Sequence, residues 1–244
     1  MKIKNWESKI HVIYIVLPAY NAEKTIKDTL DSIPDRNKYN FLLCDDGSND
    51  NTVQAAKNLG LEVIMHKENR GYGANQKTLY NTVLKRGAKI IVMFHPDNQY
   101  DGSAIQKMVK LVEANEADFV LGNRMSGNMP NIAKMPKWKQ LSNRLLTLLQ
   151  SLIYGVKMGE FHTGLRTYKK DVLEKIDFNK FSDDFVFDSE MIAAVIAKGF
   201  KLAEIPVQAS YFPEASSINL RRSIKYGLET LKVLWRFKKG YYKK

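Results

Sequence analysis

Short apolar segments alternate with longer helical segments over the first half of the chain, and this alternation restricts the fold more than any other feature. Strand-like runs occur at residues 11–17, 41–44, 61–65, 90–94 and 117–121. Helical stretches that end near residues 32, 59, 86 and 114 separate them. A strand–helix–strand succession at this spacing indicates βαβ units. The sequence therefore predicts an α/β fold with a mostly parallel central sheet flanked by helices.

Three of these predicted strands run directly into polar loops. Pro18-Ala19-Tyr20-Asn21 follows the first strand, Asp45-Asp46-Gly47-Ser48 the second, and His95-Pro96-Asp97-Asn98-Gln99 the fourth. Ligands of open parallel sheets bind beyond the carboxyl ends of the strands. We therefore expect one site at the edge where these loops emerge. Without further information, Asp45 and Asp46 also fit an ordinary turn followed by a helix cap.

The loop after the fourth strand has the composition of a cation site. His95, Asp97 and Gln99 offer an imidazole, a carboxylate and an amide within five residues. Such ligands suit Mg2+ or Mn2+, which usually bind together with a substrate phosphate. The alternative is a strand that ends in a common Pro-Asp turn.

Composition narrows the class of protein. The chain has 244 residues and one cysteine, Cys44, so an internal disulfide is impossible. No apolar run reaches the length of a membrane span, which predicts a cytoplasmic protein. The net charge is +12, and residues 221–244 hold nine Lys or Arg against one acidic residue, a local excess of 9 − 1 = +8. Such a tail suits nucleic acid, an anionic membrane surface or simple solvation.

The second half is predicted to be more helical. Helices are expected at residues 137–154, 184–198 and 216–239, a short strand or loop with Arg166 at 161–168, and an edge strand with Pro206 at 201–211. The last helix is amphipathic, with an apolar stripe beside basic residues. This stripe fits either a membrane headgroup layer or packing on the domain.

Seven short motifs in this order resemble the family-2 glycosyltransferases of the GT-A fold, close to the dolichol-phosphate mannosyltransferase and polyprenyl-phosphate glycosyltransferase type. They are Pro-Ala-Tyr-Asn, Asp-Asp-Gly-Ser, Asn-Arg-Gly-Tyr-Gly at residues 69–73, Pro-Asp-Asn-Gln, Gly-Asn-Arg at 122–124, Thr-Gly-Leu-Arg at 163–166, and Glu-Ile-Pro-Val at 204–207. The resemblance implies a GT-A domain over residues 1–215, followed by a basic amphipathic helix and tail over 216–244.

The resemblance also implies roles for particular residues. The family transfers a sugar from a nucleotide-diphosphate sugar, here a UDP- or GDP-sugar, with inversion of the anomeric carbon. The implied nucleotide-sugar-binding residues are Pro18, Ala19, Tyr20, Glu23, Asp45, Asp46, Gly73, Asp97 and Arg124. Asp97 and Gln99 match the metal motif, and Arg166 is expected near phosphates. Asp188 and Glu190 are candidate general bases for an alcohol acceptor, whereas a phosphate acceptor is already ionised.

The sequence departs from the family pattern at two places. His95 stands where the metal motif usually has its first acid, so it is expected either to bind the cation or to contact the donor sugar or phosphate. The segment after Tyr211 lacks the glycine-containing stretch of the mannosyltransferases. The acceptor therefore stays open between polyprenyl phosphate and a glycan or glycolipid.

Three other classes compete with this interpretation. A sugar nucleotidyltransferase would carry a glycine-rich signature near its N-terminus, which the sequence lacks. A nucleic-acid-binding module would interleave aromatic and basic residues, as the tail does in part, although nucleic acid is the less expected partner. A transferase-like protein without turnover would bind nucleotide and show no metal-dependent activity.

Overall fold

A seven-stranded sheet runs through the computed structural model, which describes residues 12–126, 136–210 and 220–243. The strands are β1 (Ile13–Ala19), β2 (Asn40–Asp45), β3 (Glu62–Met65), β4 (Ile90–Met93), β5 (Phe119–Asn123), β6 (Arg166–Lys169) and β7 (Leu202–Pro206). Their order is β3-β2-β1-β4-β6-β5-β7. All neighbouring pairs are parallel except those that involve β6, which runs antiparallel to β4 and β5.

Helices cover both faces of this sheet. They are α1 (Ile26–Asp31), α2 (Thr52–Asn58), α3 (Tyr72–Lys85), α4 (Ala104–Glu113), α5 (Lys137–Tyr154), α6 (Lys170–Lys175), α7 (Phe187–Ala197) and α8 (Leu220–Lys238). Helices α1, α2 and α4 pack on one face, and α3, α6 and α7 on the other, where α8 lies against α7 and α5. None of the described helices is both long enough and apolar enough to cross a bilayer.

The apolar strands are explained by burial on both faces. In β1, Val16 belongs to the core under α3 and α7, whereas Ile15 and Leu17 belong to the core under α1 and α4. Alternate side chains of a strand point to opposite faces, so a strand covered on both faces needs a continuous apolar run rather than an alternating one. This is the pattern that the sequence shows.

The predicted α/β fold with a mostly parallel, helix-flanked sheet is confirmed. Helix α5 covers the predicted range. The edge strand predicted within residues 201–211 is β7, which is shorter and ends at Pro206. Two features differ from the prediction: residues 166–169 form an internal antiparallel strand, and α6 was not expected. The part of the predicted last helix at residues 216–219 lies outside the described residues.

The strand order places a switch point at β1. Its neighbours β2 and β4 lie on opposite sides, because the chain builds the sheet outward from β1 first in one direction and then in the other. Loops after strands at such a point diverge and leave a crevice at the carboxyl edge. Because β6 is antiparallel, its first residue, Arg166, also lies at this edge and pairs with Met93 of β4.

Candidate active site

A cleft of about 640 Å³ opens at the carboxyl edge of the sheet. Six of the residues singled out in the sequence line it: Pro18, Ala19, Tyr20, Asp46, His95 and Asp97. They come from the loops after β1, β2 and β4, so the polar breaks of three strands meet as expected. Among the described residues, the other candidates lie outside the cleft lining: Glu23, Asp45, Gly73, Gln99, Arg124, Arg166, Asp188 and Glu190.

Asp45 and Glu23 join the loop after β1 to the loop after β2. The Asp45 carboxylate accepts the Ser48 N–H at 3.1 Å, and the Ser48 hydroxyl oxygen accepts the Asn21 N–H at 2.8 Å. Glu23 accepts hydrogen bonds from the Asn51 backbone N–H at 3.1 Å and from its side-chain amide at 3.0 Å. Both carboxylates thus fix the loop after β1 against the loop after β2, so each has a structural role.

Asp46 is buried and holds the glycine-containing loop that precedes α3. Its Oδ1 accepts the Arg70 N–H and its Oδ2 the Gly71 N–H, each at 3.0 Å. His66 Nδ1 lies 2.7 Å from Oδ1. A carboxylate that satisfies two backbone N–H groups is a strong anchor because charged acceptors form the stronger hydrogen bonds. Asp46 also lines the cleft, so it both holds the loop before α3 and borders the space for a ligand.

The glycines of residues 69–73 allow two backbones to touch. Gly71 has φ +101°, and a Cβ there would lie 2.5 Å from the Asp183 carbonyl oxygen. A Cβ on Gly73 would overlap the Ser182 carbonyl oxygen, and the Gly73 N–H donates to the Asp183 carbonyl at 2.7 Å. Only glycine permits this approach. The contact places Tyr72, between the two glycines, against the loop that leads into α7.

The turn after β4 is held from below by α1. The Thr25 hydroxyl donates to the Pro96 carbonyl at 2.6 Å, and the Thr29 hydroxyl oxygen accepts the Asn98 N–H at 2.8 Å. Asn98 has φ +53°, a left-handed conformation that asparagine tolerates better than most residues. This turn presents His95 and Asp97 to the cleft, whereas Gln99 is buried outside the lining.

The chemistry of His95 and Asp97 fits a divalent cation that also binds phosphate. Asp97 accepts the Gln99 N–H through Oδ1 at 3.0 Å, which leaves Oδ2 as a possible ligand. Burial lowers the pKa of His95, which favours the neutral imidazole that can coordinate. The described part of the chain contains no group of three or more His, Cys, Asp or Glu side chains placed to bind a metal. A cation here would therefore need phosphate oxygens or water to complete its coordination.

A buried polar network lies beside His95. Arg166 is only 1% exposed and forms an ion pair with Asp188. Burial alone would lower the pKa of Arg166, but the charge and hydrogen bond of Asp188, together with Tyr168 and Tyr72, raise the pKa well above its usual value. Asp188 also accepts the Gln76 side-chain amide at 3.0 Å and the Tyr72 hydroxyl at 2.9 Å. Every described hydrogen bond and ion pair of Asp188 is therefore made with another side chain of this network.

Arg124 forms a second buried ion pair at the end of β5. Its partner is Glu160, which also accepts the Arg124 backbone N–H at 2.8 Å and the Asn143 amide at 2.9 Å. Burial would raise the pKa of Glu160, but Arg124 lowers it, so the carboxyl stays ionised. The structure thus places Arg124 in an ion pair rather than at the cleft surface.

Glu190 lies on the first turn of α7, away from the cleft lining. Its carboxylate accepts the Ser182 N–H at 2.7 Å, and Arg236 of α8 lies 3.2 Å away. Burial raises the pKa of Glu190. These contacts tie α7 to α8 and to the loop before α7.

Sequence reasoning missed several residues that form the site. Tyr72 lines the cleft, and the first half of α8 contributes Arg222, Lys225, Tyr226 and Glu229. The two glycines that flank Tyr72, at residues 71 and 73, were the signal in the sequence. Glycines often mark a close approach of two backbones, and such an approach fixes the position of the residue between them. The polar side of α8 was visible in its periodicity, but nothing in the sequence indicated that this side faces the cleft.

Comparisons with known proteins find glycosyltransferases among the similar sequences. The family model described as glycosyl transferase family 2 matches residues 14–177. A protein of Methanocaldococcus jannaschii named only as uncharacterized is 33% identical over 199 residues, 82% of each chain. The UDP-N-acetylglucosamine–dolichyl-phosphate N-acetylglucosaminyltransferase of Methanococcus voltae is 29% identical over 219 residues, 82% of this chain and 86% of the relative.

A solved structure shows the same fold at low sequence identity. Glucosyl-3-phosphoglycerate synthase of Mycobacterium tuberculosis, crystallised with Mn2+, UDP and phosphoglyceric acid, superposes with a TM-score of 0.70 and 14% identity. The match covers 92% of this chain and 78% of that one. The likeness to this structure concerns the fold. The family model matches more than half of the chain, including most of the sheet, so the chain belongs to glycosyl transferase family 2.

Proposed function

We propose that the protein transfers a sugar from a UDP-sugar to the phosphate of a polyprenyl phosphate, with inversion at the anomeric carbon. The observation that carries this proposal is the meeting of the Pro18–Tyr20 turn, Asp46, His95 and Asp97 in one cleft at the switch point of the sheet. The named relative from Methanococcus voltae and the UDP-bound neighbour support the donor and acceptor classes.

The donor is expected to lie along the cleft, with its nucleotide over the β1 loop and its diphosphate near the β4 loop. Tyr20 is 49% exposed, so its ring is available to a base, and Asp46 borders the same space. His95 and Asp97 would hold Mg2+ or Mn2+. When bound, such a cation supplies positive charge that stabilises the departing nucleotide diphosphate.

The positions of the candidate bases favour a phosphate acceptor. An alcohol must lose a proton to a general base as it attacks. Asp188 is occupied by Arg166, Gln76 and Tyr72, and Glu190 lies against Ser182 and Arg236. Neither lines the cleft. A phosphate oxygen is already ionised at neutral pH, so it can attack the anomeric carbon without either carboxylate.

An exposed apolar surface beside the cleft fits a lipid-linked acceptor. Helices α5 and α8 pack together, with the rings of Tyr154 and Phe237 4.7 Å apart. The two helices expose nine large apolar side chains: Trp138, Leu141, Leu145, Leu148, Leu152, Ile224, Leu228, Leu231 and Trp235. Large exposed apolar side chains grouped on two packed helices mark an interaction site. Because α8 and the residues that follow it, 221–244, carry a local excess of 9 − 1 = +8 out of the net charge of +12, we propose that this surface rests on an anionic membrane.

Nucleotide binding is the direct test of the donor site. Thermal unfolding would be followed with UDP, GDP, dTDP and CDP, each with Mn2+, Mg2+ or EDTA. A ligand at about 100 times its dissociation constant stabilises a protein by about 2.7 kcal/mol. We expect UDP with Mn2+ or Mg2+ to stabilise most, and Asp97→Asn to remove the metal dependence. Stabilisation by GDP alone would reassign the donor, and no stabilisation by any nucleotide would contradict the proposal.

Product formation tests the acceptor. Purified protein would be incubated with radiolabelled UDP-glucose or UDP-N-acetylglucosamine and either a short-chain polyprenyl phosphate or the corresponding polyprenol. We expect organic-extractable product with the phosphate and none with the alcohol. Transfer to the alcohol instead would show that another carboxylate serves as the base, and would refute the inference of a phosphate acceptor.

A further inference from the structure

The hydroxyl of Tyr72 bridges two side chains from distant parts of the sequence. Its oxygen lies 3.0 Å from His95 Nε2 and 2.9 Å from Asp188 Oδ2. Asp188 in turn pairs with the buried Arg166 and accepts the Gln76 amide at 3.0 Å through Oδ1. A continuous line of contacts therefore runs from a buried guanidinium to an imidazole that lines the cleft.

The positions of the protons in this line follow from valence. Asp188 is a carboxylate because it is the partner of a buried arginine, and a carboxylate only accepts hydrogen bonds. The single hydroxyl proton of Tyr72 must then point to Asp188. The phenolic oxygen is left as an acceptor toward His95, so the group that faces it has to be a protonated Nε2. In the neutral imidazole, the lone pair is consequently on Nδ1.

We propose that Tyr72, backed by Asp188, is a positioning residue that fixes His95 in the tautomer with the proton on Nε2. This reserves Nδ1 for the cation and the donor phosphates. The proposal rests on the proposed function only for the identity of what Nδ1 meets. Histidines that bind metals usually donate their other N–H to an oxygen acceptor, which fixes the ring and its tautomer. The Tyr72 hydroxyl occupies that place here.

Packing keeps the two rings in the required orientation. The Tyr72 and His95 rings are within 5° of parallel, with centroids 5.4 Å apart, and Phe185 stacks on Tyr72 at 5.0 Å. In the loop before β6, a Cβ on Gly164 would lie 2.6 Å from His95 Cδ2 and 2.9 Å from Nε2. The edge of the imidazole that carries Nε2 is thus enclosed by Tyr72 and Gly164. Nδ1 lies across the ring from that edge.

His66 provides an internal comparison, because its partners place a proton on the other ring nitrogen, Nδ1. Its Nδ1 lies 2.7 Å from the Asp46 carboxylate, and its Nε2 lies 2.9 Å from the Thr78 hydroxyl. Since the carboxylate can only accept, Nδ1 of His66 must carry a proton. Nδ1 is therefore expected to carry a proton in His66 and to be unprotonated in neutral His95.

Nitrogen NMR of the histidine side chains tests the inference directly. Protein labelled with 15N histidine would be recorded without ligands at about pH 8, above the usual histidine pKa. The chain has four histidines, and His95→Gln identifies the signals of His95. We expect His95 to show a protonated Nε2 and an unprotonated Nδ1, and His66 to show a protonated Nδ1.

The Tyr72→Phe variant removes the acceptor hydroxyl and keeps the ring. Its His95 signals should move toward an average of both tautomers, while those of His66 stay unchanged. Tyr39→Phe, which alters a buried tyrosine at the opposite edge of the sheet, is the control and should change neither. A wild-type His95 protonated on Nδ1, or His95 signals that are the same in Tyr72→Phe, would overturn the proposal.

Cation binding supplies the second readout. The free Mn2+ signal in electron paramagnetic resonance would be followed during titration of the UDP-saturated protein. Losing the group that orients a metal-binding histidine typically weakens affinity about 10- to 100-fold, which we expect for Tyr72→Phe and not for Tyr39→Phe. Unchanged Mn2+ affinity in Tyr72→Phe would refute the link to the cation. The NMR arm needs no ligand, so it decides the tautomer even if the wild type binds no UDP, a result that would count against the proposed function alone.

Discussion

Replacing Asp188 with alanine separates a structural role of this residue from a role as general base. The structure shows Asp188 as the counter-charge of Arg166, which is 1% exposed and has Asp188 as its acidic partner. Removing one member of a buried ion pair typically costs about 3–5 kcal/mol, because the other charge stays buried without compensation. The donors of Gln76 and Tyr72 also lose their acceptor. We therefore expect Asp188→Ala to lower the free energy of unfolding by about 3–5 kcal/mol.

Urea unfolding at neutral pH, monitored by tryptophan fluorescence and circular dichroism, would measure this loss. In a domain of this size the same change corresponds to a drop in Tm of about 6–20 °C. The double variant Arg166→Met, Asp188→Leu removes both charges and should recover most of the stability, since replacing a whole buried pair with apolar residues is often close to neutral. Asp188→Asn keeps hydrogen-bonding capacity and should fall between wild type and Asp188→Ala. A loss below about 1 kcal/mol in Asp188→Ala would refute the reasoning.

Three further predictions use other contacts. Gly164→Ala should weaken binding of UDP with Mn2+, because its Cβ would lie 2.6 Å from the His95 ring. Gly227→Ala is the control: it has open space around it in α8, so it should keep binding and raise the Tm. Titration calorimetry measures the binding, and scanning calorimetry the Tm. Burial lowers the pKa of His162 to about 4, so the stability that comes from its neutral form is complete above about pH 6.5 and declines as the pH falls toward 4. Urea midpoints should show a loss of about 2 kcal/mol between about pH 7 and 5 in the wild type, and a smaller one in His162→Gln. Leu228→Glu, at a side chain 63% exposed, should abolish flotation with anionic vesicles without lowering the Tm, and retained flotation would contradict the membrane surface.

Much of the sheet was predictable because its physical cause is local. Strands covered on both faces must be apolar throughout, and the loops at the carboxyl ends must be polar, so the sequence at residues 90–97 reads as a strand that enters a site. The antiparallel β6 was not predictable in the same way. Its residues Arg166–Lys169 are polar or mixed, and their place between β4 and β5 depends on pairing with strands far away in the chain.

The position of the site could be predicted from the sequence, whereas the roles of some individual residues could not. Pro18, Asp46, His95 and Asp97 meet because parallel strands end at one edge. Charge type alone did not reveal that Arg166 would be buried in an ion pair. An arginine in a sequence looks the same whether it meets a phosphate or a carboxylate, and the partner of Arg166, Asp188, lies in a different element, helix α7.

Helix α8 connects the two halves of the proposed function. Arg222 and Lys225 line the cleft, while Ile224 and Leu228 on the same turns are more than half exposed on the outer surface. A helix turns about 100° per residue, so neighbours in sequence can serve the cleft and the membrane side at once. An acceptor with an anionic head and an apolar chain would contact both sides of this one helix. Each buried CH2 group contributes about 0.8 kcal/mol, so most of the affinity for such an acceptor would come from outside the cleft, and the cleft is left to orient the phosphate.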